Sequence, residues 1–231
     1  MKNNEIYNLI INGLKSDEDV LKKLLSFDNF LYAKISESAV KYGNGVHPKH
    51  RVTKYHDFFV ENVEEDDSVL DLGSGRGDVT YDVAKKTKKE VVGIEINRRN
   101  INNARNKYKL DNLKFVHGDI YKDIPNKHFD VVMMSNVLEH LKNRSSLLKD
   151  VCEMVTPKKV LIRVPHFERE WMVPIKEELK VEYRLDRTHY IEHTYEEFYK
   201  EMSDANLKVV SCKSNWGEIW SICEVIDFEK R

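Results

Sequence analysis

The sequence predicts a doubly wound α/β sheet, and three observations carry that expectation. An apolar run, Val69-Leu-Asp-Leu72, ends in a glycine-rich turn, Gly73-Ser-Gly-Arg-Gly77, after which a helical pattern begins. Further apolar runs follow, with a helical pattern between most of them. Three of the runs carry an acid at or just past their C-terminal end: Asp71, Glu95 and Asp119. Alternating β and α at this spacing gives a parallel sheet with right-handed crossovers. Strand, tight turn and helix together are the layout of a nucleotide site, and such sheets bind ligands beyond their strand C-terminal ends.

Taken in order, residues 1 to about 42 read as helices. Ile6, Leu9, Ile10 and Leu14 share one face, and Val20, Leu21, Leu24 and Leu25 share another. Ser16 with Glu18 and Asp19 marks a helix start. This piece is a helical extension packed on the sheet, or a cap or homodimer surface. The link Tyr42–Arg51 is rich in turn formers and cations (His47, Lys49, His50, Arg51), which suit either a solvated loop or an anion-facing one. Val52–Val63 reads as the helix before the first strand. The domain boundary therefore falls near residue 50: an extension and link over 1–50, then the sheet domain over 51–231.

Strand one is Ser68–Leu72, and a helix runs from Val79 to Lys86. Strand two is Glu90–Glu95, followed by a helix over Arg98–Lys107. Strand three is Leu113–His117 and strand four Phe129–Ser135. Leu138–Met154 is largely helical, and strand five is Lys159–Val164. Residues 165–196 form a long intervening segment, of the kind that is usually functional. It is dense in His166, Trp171, Arg184, Arg187, His189 and His193. Thr194 with Glu196 and Glu197 opens a helix. A closing strand pair, Leu207–Cys212 and Trp220–Phe228, is joined by Ser214-Asn-Trp-Gly217.

Composition narrows the function classes. The 231 residues make one large domain, or one domain with an appendage. Apolar residues make up 41%, enough for a core. A net charge of -1 provides no global positive field, so nucleic acid is disfavoured as a partner. Cys152, Cys212 and Cys223 are scattered and form no C-x-x-C pair, which fits a reducing, cytoplasmic setting and no zinc ribbon. No apolar run approaches about 18 residues, so no membrane span is expected. The opening MKNNEIYNLI lacks the core and cleavage site of a signal peptide.

The acids select the ligand. A dinucleotide turn of the G-x-G-x-x-G kind wants glycine at Asp78, and Asp71 would repel a pyrophosphate. A carboxylate under the turn suits a cation, such as the ammonium and sulfonium of S-adenosylmethionine. Glu95 lies 20 residues after Gly75, where a carboxylate accepts from ribose hydroxyls. Asp119 is placed to accept from an adenine amino group, with Ile96 and Ile120 on either side of the ring. Each acid alone also fits a turn or helix cap; the three in succession point to a nucleoside.

In VLDLGSGRGD, VVGIEIN, FVHGDI, FDVVMMSNVLEHL and KKVLIRVP, residues 50–231 resemble the class I S-adenosylmethionine-dependent methyltransferases. The Asn136-Val-Leu-Glu-His-Leu141 segment resembles the small-molecule, type 11 branch. The resemblance implies a Rossmann-like seven-stranded sheet with the last strand antiparallel, and a substrate lid over 165–196. It also implies that Asp71, Gly73, Ser74, Gly75 and Gly77 cradle the methionine part. Glu95 and Ile96 would hold ribose and adenine, Asp119 and Ile120 the adenine, and Ser135 and Asn136 the sulfonium end. Arg76 departs from the small or neutral residues common in that turn and is expected to face solvent. The segments HPKHR, RVPHFEREWMVPIK, LDRTHYIEHT and NWGEIW resemble methyltransferases of surface-polysaccharide and sugar-modifying gene sets. They imply a saccharide, nucleotide-sugar or other small-molecule hydroxyl as acceptor.

O-methylation requires an in-line approach and the loss of one proton. His140, His189 and His166 are the candidate bases, since imidazole titrates near neutral pH. No metal ligand set is assigned. One rival is a metal-dependent RNA ribose 2′-O-methyltransferase, a family with a Glu-x-x-Glu-His motif and a further His in the lid; here Asn136 replaces the first acid, while Glu139, His140 and His189 or His193 remain. Losing one carboxylate weakens a Mg²⁺ site, and the near-neutral charge disfavours RNA. A non-catalytic binding module of the same fold is the other; the intact acids and glycines speak against it.

Overall fold

The computed structural model describes residues 3–226. Asp227 and Phe228, the end of the predicted last strand, lie outside the described residues. The chain forms two compact units. One comprises the chain up to Thr53 together with Phe167–Leu185, and the other Lys54–His166 together with the chain from Asp186 onward. No helix among the described residues is long and apolar enough to cross a membrane.

In the first unit, α1 spans Asn3–Ile11 and α2 spans Asp17–Tyr42. Ser16 caps α2 by accepting from the Asp19 N–H at 3.1 Å, and three acids fill its first turn. A short helix, α3, covers Lys49–Thr53 inside the predicted link. The middle of the 165–196 segment is not an open loop. It contains a 3₁₀ turn at Phe167–Arg169 and a helix, α8, over Met172–Glu178. Lys176 on that helix is buried, and its ammonium donates to Asp28 Oδ2 (2.8 Å) and Asn29 Oδ1 (2.9 Å) on α2. Asn29 Nδ2 in turn donates to the Glu182 carbonyl at 2.6 Å. These bonds satisfy a cation that burial would otherwise penalise.

The second unit begins with α4, Tyr55–Glu61. The single predicted helix over Val52–Val63 is therefore split, because Lys54 takes a left-handed φ of 51°. Seven strands follow: β1 Val69–Leu72, β2 Val91–Glu95, β3 Leu113–His117, β4 Val131–Ser135, β5 Lys159–Pro165, β6 Leu207–Asn215 and β7 Glu218–Val225. Their order is β3-β2-β1-β4-β5-β7-β6. β1 to β5 pair in parallel, and β7 runs antiparallel to both β5 and β6. The expected seven-stranded sheet with an antiparallel last strand is present.

Side-chain alternation divides the core between the two faces. Leu70, Leu72, Val132, Met134 and Ile162 pack with Leu148, Val151 and Phe198. Val69, Val131, Met133 and Leu161 pack with Phe59 and Val83. Central strands covered on both faces read as unbroken apolar runs, hence their legibility. The crossover helices here are α5 (Asp78–Lys86), α6 (Arg98–Lys107) and α7 (Arg144–Val155). The predicted helix from Leu138 is interrupted: Leu138–His140 is a 3₁₀ turn and α7 starts only at Arg144. α9, Tyr195–Asp204, opens with a full capping box between Thr194 and Glu197.

Candidate active site

Parity along β1 places Asp71 on the same face as Val69, toward α5. There Thr80 Oγ1 donates to Asp71 Oδ2 at 2.6 Å. Asp71 is only 2% exposed. Burial pushes its carboxyl up to about 7, with the Thr80 bond opposing and the Glu95 charge adding to the rise. Above it, the Gly73 and Ser74 N–H groups both donate to the Ile94 carbonyl, at 2.8 and 2.9 Å. The Gly75 N–H donates to Glu95 Oε2 at 2.9 Å, and the Asn97 N–H to Oε1 at 2.7 Å. Glu95 thus pins the glycine turn to the end of β2, and a carboxylate with ~four acceptor sites still has capacity for a ligand.

The three glycines are not equivalent. All have positive φ, which favours glycine. At Gly73 a Cβ would meet Val137 Cγ2 at 2.5 Å, and at Gly77 it would meet Phe115 Cζ at 2.4 Å. Those two are required by packing. At Gly75 nothing lies within 4 Å, so this is the glycine whose bare face opens outward. Arg76 is exposed, as expected. Ser74 Oγ is buried and has no hydrogen-bond partner among the described residues. Gly93 on β2 makes room for it, since a Cβ there would lie 2.8 Å from that oxygen.

Ile120 is buried, whereas Ile96 is 67% exposed. Asp119 is half-buried and already engaged: its Oδ1 accepts from the Tyr121 N–H at 3.0 Å, closing a turn. At the end of β4, Ser135 is half-buried and Asn136 adopts φ 55°. Asn136 Oδ1 accepts from Arg163 Nε at 3.1 Å, and its N–H donates to the Arg163 carbonyl at 2.8 Å. Arg163 is buried, stacks 3.6 Å from the Tyr55 ring centroid, and lies 3.4 Å from Glu218 Oε2. A charged residue inside the apolar run Lys159–Val164 is the signal in the sequence for this network.

The predicted bases separate. His140 and His189 come together, with ring centroids 4.5 Å apart in an edge-on arrangement. His166 is buried elsewhere, with Nδ1 3.2 Å from Ser214 Oγ and its ring against Tyr195. Around the first pair, Asp186 Oδ1 accepts from Thr188 Oγ1 at 2.7 Å, and that oxygen lies 2.9 Å from His140 Nδ1. His189 Nδ1 lies 3.2 Å from Glu192 Oε1, a buried pair. Glu139 completes the cluster. It is fully buried, and burial pushes its carboxyl up to about 8. The Tyr190 N–H donates to the Glu139 carbonyl at 2.7 Å, tying the two segments together. Asp186, Thr188 and Glu192 were not singled out from the sequence; the Asp-x-Thr spacing of a side-chain-closed turn is their signal.

Three other imidazoles have structural partners. His193 Nε2 lies 3.4 Å from Glu201 Oε1, whose other oxygen accepts from Arg144 Nε at 2.6 Å. His47 Nδ1 accepts from the Lys49 N–H at 3.0 Å, at the start of α3. His56 Nδ1 lies 2.6 Å from Asp82 Oδ2.

Comparison with known proteins is consistent with this geometry. A family model described as a methyltransferase domain matches residues 63–220. An uncharacterised methyltransferase of Schizosaccharomyces pombe is 29% identical over 111 residues, covering 43% of this chain and 40% of the relative. The chain thus spans about two fifths of the length of that relative. Among solved structures, a DhpI complex with SAM and HEP superposes with a TM-score of 0.62 at 17% identity, over 86% of this chain and 97% of that one. The small RNA methyltransferase HEN1 superposes with a TM-score of 0.61 at 16% identity, over 78% of this chain and 25% of that one. Two such equal scores for different methyltransferases show the shared fold and do not select an acceptor.

Proposed function

The chain belongs to the class I S-adenosylmethionine-dependent methyltransferases, its methyltransferase domain matching over residues 63–220, and from that premise we propose that it methylates a hydroxyl of a saccharide, nucleotide-sugar or other small molecule. One observation carries the cofactor half of this reading: a buried carboxylate, Asp71, lies beneath a turn whose Gly75 face is open and whose backbone is held by Glu95. Negative charge under bare backbone fits a cationic amino acid group, and the same cation would draw Asp71 into its charged form. Glu95 has acceptor capacity for ribose hydroxyls, and Ser74 Oγ offers a buried polar atom with no partner among the described residues. These residues fit the cofactor.

When bound, S-adenosylmethionine supplies an electrophilic methyl on a sulfonium. The chain's own work is to hold that end, to align an acceptor oxygen and to accommodate the departing proton. In this reading Asp71, Gly73, Ser74, Gly75 and Gly77 form the methionine cradle. Glu95 with Ile96, and Asp119 with Ile120, receive the nucleoside, and Ser135 and Asn136 line the methyl end. The Arg163–Asn136 bond fixes that last side chain. Proton removal falls to the cluster of Glu139, His140 and His189, and the separate surroundings of His166 rank it below them. A positioned base contributes roughly 10²–10⁴-fold.

Support for a sugar-type acceptor comes from the resemblance of residues 47–51, 163–176, 185–194 and 215–220 to sugar-modifying methyltransferases. Incubation with methyl-labelled S-adenosylmethionine and a panel of sugar nucleotides and glycans tests it, with methyl transfer to a saccharide oxygen as the expected result. Transfer to RNA or protein but to no saccharide would defeat the acceptor assignment. Failure to bind the cofactor in a calorimetric titration would defeat the whole reading.

A further inference from the structure

Glu139, His140 and His189 converge: one ligand-capable atom from each lies within 4.8 Å of the others. Glu139 is fully buried, yet neither of its carboxylate oxygens has a hydrogen-bond partner among the described residues. A buried carboxylate without partners is costly, and a hydrogen-bonded acid would have been easy to satisfy in a unit that pairs its other buried acids. Asp71 has Thr80, Glu95 has two backbone N–H groups, and Glu201 has Arg144. The nearby cation, Arg163, is already spent on Asn136 and Glu218. Both imidazoles are held from behind in the way that ligating histidines are: His189 by the Glu192 carboxylate, His140 through Thr188 by the Asp186 carboxylate. What the cluster lacks is a positive charge at its centre.

We propose that Glu139, His140 and His189 form a divalent transition-metal site, open on the side where an acceptor hydroxyl would sit. The inference rests on the hydroxyl-methylation reading for its purpose, though not for its geometry, and it departs from the sequence-based expectation of no metal. Bonds of about 2.1 Å to a shared ion span ligands up to about 4.2 Å apart, so the three atoms need close by no more than about 0.6 Å. One carboxylate with two imidazoles is a mixed oxygen and nitrogen set, which favours Mn²⁺, Fe²⁺, Co²⁺ or Zn²⁺ over Mg²⁺ or Ca²⁺. Three protein ligands leave positions for exogenous oxygen, the pattern of catalytic rather than structural sites. His140 is half-buried and Thr188 and Asp186 are exposed, so the cluster is reachable from solvent.

In the overall reaction the sulfonium C–S bond breaks, the acceptor C–O bond forms and the hydroxyl proton passes to water. The products are the methyl ether, S-adenosylhomocysteine and a proton. A cation at this site would lower the cost of that proton loss, so the same cluster would assist proton removal through the cation, with His140 and His189 as its ligands.

The test is direct binding. The full chain, stripped with a chelator, is titrated with Co²⁺ and followed by visible d–d absorption, with Mn²⁺ followed by calorimetry. One saturable site per chain is expected, abolished by Glu139→Gln and by His189→Asn. Asp186→Asn should weaken it by roughly 10–100-fold, the scale of a partner behind a ligand. A fold control is built in: metal-free Glu139→Gln and His189→Asn should each keep the cooperative thermal transition of the metal-free wild type, so that loss of Co²⁺ binding reports the site and not the fold. Cofactor titrations on the same samples separate the two claims. Cofactor binding without saturable Co²⁺ binding, or Co²⁺ binding that survives both ligand substitutions, overturns the metal site alone. Absence of cofactor binding overturns the underlying reading.

Discussion

Asp71 is the residue on which the cofactor assignment turns. Asp71→Ala should weaken S-adenosylmethionine binding by roughly 1–3 kcal/mol, the scale of a lost charge-assisted contact, while the fold survives because the residue sits at a strand end. Unchanged affinity by calorimetry would contradict its place under the methionine group. The glycines allow a finer test. Gly77→Ala meets both a positive φ and the Phe115 ring, so urea unfolding should show a loss of about 2 kcal/mol or more from strain and overpacking. Gly75→Ala meets only the φ cost, roughly 1–2 kcal/mol, yet it places a methyl on the open face. Cofactor affinity should therefore fall more in Gly75→Ala, and stability more in Gly77→Ala. The sequence announces all three glycines alike, because spacing reveals positive φ but not what lies above each Cα. Thr80 was similarly invisible, since nothing marks a threonine nine residues on, in the first turn of α5, as the partner of a buried acid.

At the scale of elements, strands were legible and interruptions were not. β1, β2, β4 and β5 are buried on both faces and therefore announce themselves as apolar runs. The break at Lys54 has no glycine or proline to mark it, and the left-handed turn there is imposed by the packing of Tyr55 and Phe59 into the core. The 3₁₀ turn before α7 was hidden because Leu138, Leu141 and Leu148, at i, i+3 and i+10, keep a helix-like spacing across it. The closing hairpin shows the same limit. β6 runs on past the predicted Cys212 to Asn215 and β7 starts before the predicted Trp220, at Glu218, which leaves only Trp216 and Gly217 as the turn, both at positive φ. That is the geometry of a tight two-residue hairpin, which favours Asn-Gly. Trp216 is exposed, so Trp216→Asn should raise stability by about 1 kcal/mol through relief of backbone strain. A thermal melt that falls instead would mean the indole has a role the fold does not require.

At the scale of the whole molecule, two sets of carboxylates pull stability in opposite directions with pH. Burial works against ionised Asp130, yet Lys158 and the Ser68 N–H and hydroxyl hold its carboxyl well below the usual range. Burial likewise opposes Glu201, and His193 and Arg144 bring it below its ordinary value. A depressed folded-state pKa contributes stability that is present above the unfolded value and lost as pH falls through the folded one. Asp71 has the reverse sign. Its carboxyl is raised to about 7 by burial, so its contribution is complete below about 4 and is lost as pH rises toward 7. Each proton so linked tilts the curve by about 1.4 kcal/mol per pH unit. The cofactor-free protein should therefore melt highest in mildly acidic buffer and lose stability toward neutrality. Asp71→Asn should flatten that neutral-side decline, and Asp130→Asn should remove part of the acid limb. Saturating S-adenosylmethionine should do what Asp71→Asn does, because its ammonium holds the carboxylate charged: the gain in melting temperature on adding cofactor should grow from pH 5.5 to about 7.5. A cofactor-induced gain that is constant across this range, in wild type and Asp71→Asn alike, would mean that the buried carboxylate and the bound cation do not meet.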